Sequence, residues 1–110
     1  MLNMHKPRLT TILRNLQDEF SRILGEKLDS VLLFGSQARG DARVDSDVDV
    51  LVVIRGDFDY GELIKRTSYV VSELSLQNDI TISRAFISKE HFEHDQNPFL
   101  LNVKREGIRI

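Results

Sequence analysis

Two aspartates, Asp47 and Asp49, are set into an otherwise apolar run over residues 47–54, and no other feature restricts the fold as strongly. Val48, Val50 and Val52 alternate with them. A strand through this run therefore points the valines into a core and both carboxylates to the opposite face. Like charges side by side on one strand face repel and cost stability unless a cation sits between them. A local rule broken in this way marks a functional site. Just upstream, residues 30–34 read as a short buried strand that stops at the small-residue turn Gly35-Ser36.

The rest of the chain reads as scaffold for these two strands. Pro7 suits the first turn of a helix, and Leu9, Ile12, Leu13, Leu16, Phe20, Ile23 and Leu24 make one apolar stripe up to about Gly25. Residues 37–39 fit a brief helical turn before Gly40, and the polar residues 41–46 fit a loop. Gly56-Asp57 ends the second strand. A second long helix is expected over residues 59–76, broken by Gln77-Asn78. A third strand follows over residues 79–87, with Ile80 and Ile82 facing inward. Ser88 caps a short helix to about Asp95. Asn97-Pro98 starts a last one to Glu106, which Gly107 would end in the left-handed conformation. Helix, two strands, helix, strand and short helices make a small α/β (α+β) domain. The loop of about ten residues between the first two strands suits a small mixed sheet flanked by helices.

A chain of 110 residues fits a single domain spanning 1–110, with one core and no separate recognition domain. Its 41% apolar and 29% charged residues are ordinary for a globular protein, and a net charge of −2 gives no reason to expect direct nucleic-acid binding. Neither a secretory signal nor an apolar run near the ~18 residues of a membrane span is present. The absence of cysteine excludes disulfides, thiolate metal sites and cysteine nucleophiles, and fits a cytoplasmic protein.

Paired carboxylates on a rigid strand suit magnesium, which takes oxygen ligands and is commonly shared between one or two protein carboxylates and substrate phosphates. Two such ions about 3.5–4 Å apart can clamp the attacking and leaving oxygens of a phosphoryl transfer. The Gly35-Ser36 turn offers a hydroxyl and backbone N–H groups to a triphosphate, and Arg39 is placed to be its cationic partner. A third carboxylate would complete a two-ion site. Asp79, expected at the start of the third strand, suits this better than Asp45 in the loop or Glu73 on the helix.

Gly35-Ser36, ten intervening residues and Asp47-Val48-Asp49 together resemble the signature of the nucleotidyltransferase superfamily related to DNA polymerase beta. More narrowly, Gly-Ser-x-Ala-Arg-Gly followed by Ser-Asp-x-Asp-Val resembles the minimal nucleotidyltransferases (MNT) of bacteria and archaea. The resemblance covers most of the chain, to the closing Glu106-Gly107-Ile108. It implies a nucleotidyltransferase fold, ATP or another nucleoside triphosphate as substrate, and two magnesium ions. It also implies a HEPN-domain toxin as partner, silenced by AMP transfer from an antitoxin. Gly35 and Ser36 would be the nucleotide-binding turn, with Asp47 and Asp49 as metal ligands. The family's third strand presents an acid with apolar residues on both sides, whereas Asp79 follows Asn78.

Rival readings are weaker. A calcium loop starting at Asp45 would need glycine at position 50 and glutamate at position 56, where Val50 and Gly56 stand. No Gly-Lys-Ser/Thr follows Gly35, which excludes a Walker loop. His5, His91 and His94 read as surface residues, as do Lys65 and Arg66. Two functional alternatives stand beside protein adenylylation: an antitoxin that masks its toxin by contact alone, and transfer to a small molecule such as an antibiotic. Assembly with itself or with a partner is open.

Overall fold

The computed structural model describes residues 6–40 and 47–110; the loop expected over residues 41–46 lies outside the described residues. Helix α1 (Lys6–Leu24) follows its apolar stripe, burying Ile12, Leu13, Leu16, Phe20 and Leu24. A 3-10 turn, Gly25–Lys27, leads into β1 (Leu28–Phe34). After the short α2 (Ser36–Arg39), β2 (Val48–Ile54) returns antiparallel to β1. Then come α3 (Tyr60–Asn78), β3 (Ile82–Ser88), α4 (Lys89–His94), α5 (Pro98–Glu106) and β4 (Ile108–Arg109). The sheet order is β3-β2-β1-β4. It is mixed, as expected, because β3 runs parallel to β2 while the other pairs are antiparallel.

The two faces of the sheet are covered differently. Val48, Val50 and Val52 join Val31 and Leu33 beneath α1 and α3. On the other face Leu51, Val53 and Leu32 pack against Leu100 and Val103 of α5, with Phe92 of α4 at the margin. Most of β2 is therefore buried on both sides, which is why it reads as a nearly continuous apolar run. Burying a side chain the size of valine or leucine contributes about 1.5–3 kcal/mol, so this central strand is the anchor of the fold.

Caps mark the helix boundaries. Asp59 accepts a hydrogen bond from Glu62 N (3.0 Å), Ser88 Oγ from His91 N (3.2 Å) and Asn97 Oδ1 from Leu100 N (2.9 Å). Three expectations need correction. The helix α3 runs through Gln77 and Asn78 instead of breaking there. It stops at Asp79, whose φ of 51° is left-handed; Asp79 N donates to Leu76 O and Ile80 N to Ser75 O, the paired bonds of a Schellman turn. Asp79 thus belongs to the end of a helix, and the third strand begins only at Ile82. Gly107 is extended (φ −70°, ψ 153°), not left-handed. Space demands glycine there, since a Cβ would collide with the carbonyl of Val103. The two-residue strand β4, which pairs with Leu32 and Leu33, was not anticipated.

Candidate active site

The acid pair lies where β2 emerges from under α5. Asp47 immediately precedes the strand and is exposed, while Asp49 is half-buried as its second residue. Along the face they share, Val53 and Leu51 are covered and Asp49 is the first side chain that is not. Register places Asp49 between Phe34 at the end of β1 and Ser83 in β3.

The Gly35 turn is fitted to this carboxylate. Gly35 has φ 77° and ψ −158°, and a Cβ built on it would stand 2.5 Å from Asp49 Oδ2. Both the backbone conformation and the missing side chain are therefore needed for the turn to lie against Asp49. The Gly35 carbonyl accepts hydrogen bonds from Ala38 N and Arg39 N (both 3.1 Å), which folds the chain into α2 with Ser36 at its head. Arg39 ends α2, exposed, beside a cleft of about 170 Å³ lined by Phe34, Gly35, Phe99, Asn102 and Glu106. Phe34 and Phe99 meet edge to face there, with centroids 5.4 Å apart. This wall was missed by the sequence reading, because Phe99 lies on α5, far from the signature in the chain.

Electrostatics mark Asp49. Desolvation, and then the neighbouring charge of Asp47, push its carboxyl above the usual carboxylate range. Two hard carboxylate oxygens in such a setting match the donor preference of Mg2+. The structure brings together Gly35, Ser36, Asp49 and Asp47, with Arg39 at the edge. It does not bring Asp79 to them: that residue is the exposed cap of α3, and among the described residues no three acids or histidines gather as a metal cluster. A larger cavity, about 490 Å³, lies at the opposite end of β2 and β3, between Phe58, Phe86, Ser88 and Glu90. It contains none of the signature residues, so the acid pair outweighs cavity size in locating the chemistry.

Comparison with known proteins identifies the family. Residues 13–106 match the nucleotidyltransferase domain family. A protein of Methanocaldococcus jannaschii, named as a candidate protein adenylyltransferase, is 41% identical over 99 residues, covering 90% of this chain and 95% of its own. The fold is similar to a solved toxin-antitoxin structure with AMP-PNP (TM-score 0.58, 17% identity, 96% of this chain and 72% of that one). It is also similar to a chain in the complex of a tri-AMPylated Shewanella oneidensis HEPN toxin with MNT antitoxin (TM-score 0.52, 18% identity, 96% and 71%). The chain belongs to the nucleotidyltransferase domain family, and its mixed four-stranded sheet is that of the nucleotidyltransferase fold.

Proposed function

We propose that this protein transfers AMP from ATP to a hydroxyl group on a partner protein, with Asp47 and Asp49 holding Mg2+, and that it acts as the antitoxin of a HEPN-domain toxin. The observation that carries this reading is Asp49, with Asp47 beside it, lying against the Gly35 turn, an arrangement that can bring a cation and a triphosphate together. The candidate adenylyltransferase relative and the MNT structural neighbours support the acceptor class.

In this reading the Ser36 hydroxyl and the backbone N–H groups at the head of α2 hold the triphosphate, and Arg39 steadies a phosphate oxygen. The cleft of about 170 Å³ beside Phe34 and Phe99 is where the base would rest. The acceptor hydroxyl gives up its proton to solvent and its oxygen forms a bond to the α-phosphorus as the bond from that phosphorus to the bridging oxygen breaks, and pyrophosphate leaves. Bound Mg2+ supplies charge neutralisation for the phosphoryl oxygens during that exchange. Asp49 contributes by being fixed on β2, with Asp47 at the entry to that strand, so little reorganisation is needed when charge develops.

Intact-mass spectrometry of the partner after incubation with the chain, ATP and Mg2+ tests the proposal. One AMP or more gained per partner is expected, with loss of transfer in Asp47→Asn and Asp49→Asn. Full transfer by either variant would overturn the site. A second reading, inhibition by contact alone, is favoured by the failure of Asp79 to join the acid pair. It predicts a stable inhibited complex whose partner gains no mass.

A further inference from the structure

Among the described residues, position 83 is the one that β3 places beside the acid pair. β2 and β3 run parallel in unbroken register from Val48 opposite Ile82 to Ile54 opposite Ser88, and Asp49 stands opposite Ser83. Adjacent strands lie about 4.8 Å apart, and residues paired in register project from the same face. Along that face of β3, Ile87 and Ala85 pack at the margin of the cluster under α5, while Ser83 is exposed beside Asp49. Ser83 is therefore the β3 residue whose side chain shares an open surface with the acid pair. A carboxylate at this position could close a second cation site. A neutral hydroxyl is a poor substitute, because ions such as Mg2+ and Mn2+ favour charged oxygen ligands. Asp79, an acid just before this strand, is engaged four residues earlier as the left-handed cap of α3.

We infer that the chain's own carboxylates make a place for one divalent cation, and that Ser83 is the position that keeps a second from being held until a ligand arrives from outside. This rests on the proposed function above and deepens it. The triphosphate or the acceptor has to bring that oxygen ligand, and the place for it is open. β3 is the edge strand of the sheet, so Ser83 lies at the outer border of the acid-bearing face.

The test counts Mn2+ bound to the purified chain without nucleotide, by electron paramagnetic resonance of the free ion, so that no phosphate contributes ligands. The wild type should hold one Mn2+ per chain and Ser83→Ala also one, whereas Ser83→Asp should hold two. In chelator, Ser83→Asp should melt about 2–4 °C below wild type because a third like charge joins the face, and Mn2+ should reverse the order. Ser83→Glu repeats the test with a longer reach should the aspartate fold poorly. Two Mn2+ or none in the wild type would overturn the inference, as would a Ser83→Asp or Ser83→Glu protein that folds yet still binds one. Retention of the wild-type Mn2+ by Asp47→Asn/Asp49→Asn would instead count against the proposed function, because the ion would then sit elsewhere.

Discussion

Asp49→Asn should make the ion-free protein more stable while abolishing transfer. The carboxylates of Asp47 and Asp49 are two residues apart along an extended chain, about 6.6 Å. Two unit charges at that distance repel by roughly 0.6 kcal/mol in water and roughly 2.5 kcal/mol at the effective dielectric of a protein surface. Asp47 is exposed and Asp49 only half-buried, so solvent and salt with a screening length of about 8 Å remove at least half of the larger figure. Relief of repulsion and of desolvation together comes to about 0.5–1.5 kcal/mol. For a chain of 110 residues that raises the Tm by about 2–6 °C.

The pH dependence has a definite sign. The folded-state carboxyl of Asp49 is raised above its ordinary value near 3.8. Its favourable contribution is complete below the unfolded value and is lost as pH rises through the folded one. Asparagine does not titrate. The advantage of Asp49→Asn should thus be near zero in acid, grow above about pH 4 and level off once Asp49 is fully ionised. Thermal melts in chelator across that range measure it, and added Mg2+ should raise the Tm of the wild type but not of the variant. A variant less stable than wild type by the same amount at every pH would refute the reasoning, since Asp49 would then be a structural hydrogen-bonding residue.

Gly35→Ala should lose transfer and about 1–3 kcal/mol of stability by chemical denaturation, because its φ of 77° is strained for alanine and its Cβ meets Asp49. Asp79→Gly should stabilise by about 0.5–1 kcal/mol, since glycine suits the left-handed cap better, with transfer unchanged; loss of transfer would return Asp79 to the site. Asp29→Asn should destabilise by about 0.5–1 kcal/mol at neutral pH. Burial opposes the charge of Asp29, but hydrogen bonds from Lys89 and Ser30 and the charges of Lys89 and Arg55 outweigh it and lower its carboxyl, so the difference should fade as pH drops through the folded value.

The features legible in the sequence were those fixed by neighbours along the chain. The apolar stripe of α1, the caps at Ser88 and Asn97 and the alternation around Asp47 and Asp49 each depend on residues a few positions apart. The errors have a common physical origin. Gln77-Asn78 is polar enough to resemble a break, yet both residues continue the helix, and its end is set by backbone bonds to Ser75 and Leu76. That shift moved Asp79 from strand to cap. Ser83 was passed over because its place beside Asp49 lies in the register of β3 against β2, a pairing that the 33 residues of intervening chain do not encode locally. β4 is two residues long and exists only because α5 returns the chain to the edge of β1, with Ile110 N donating to Val31 O and Gln17 donating to the Ile110 carbonyl.

A division along β2 itself explains how so small a fold can carry a destabilising site. Leu51 and Val53 are sealed beneath α5, whereas Asp49, one step further along the same face, is open. Deep under the helix, a pair of carboxylates would cost several kcal/mol per ion in desolvation. Fully in solvent, they would bind a cation weakly and without fixed geometry. At the margin of the helix the strand is rigid because its remaining residues are buried, yet the charges retain contact with water. Substitutions at Leu51 or Val53 should therefore unfold the chain, with binding lost as a consequence, whereas substitutions at Asp49 should leave the fold intact and strip it of function. The stability of the central strand and the chemistry at its end are separable because coverage by α5 stops between two residues on one face.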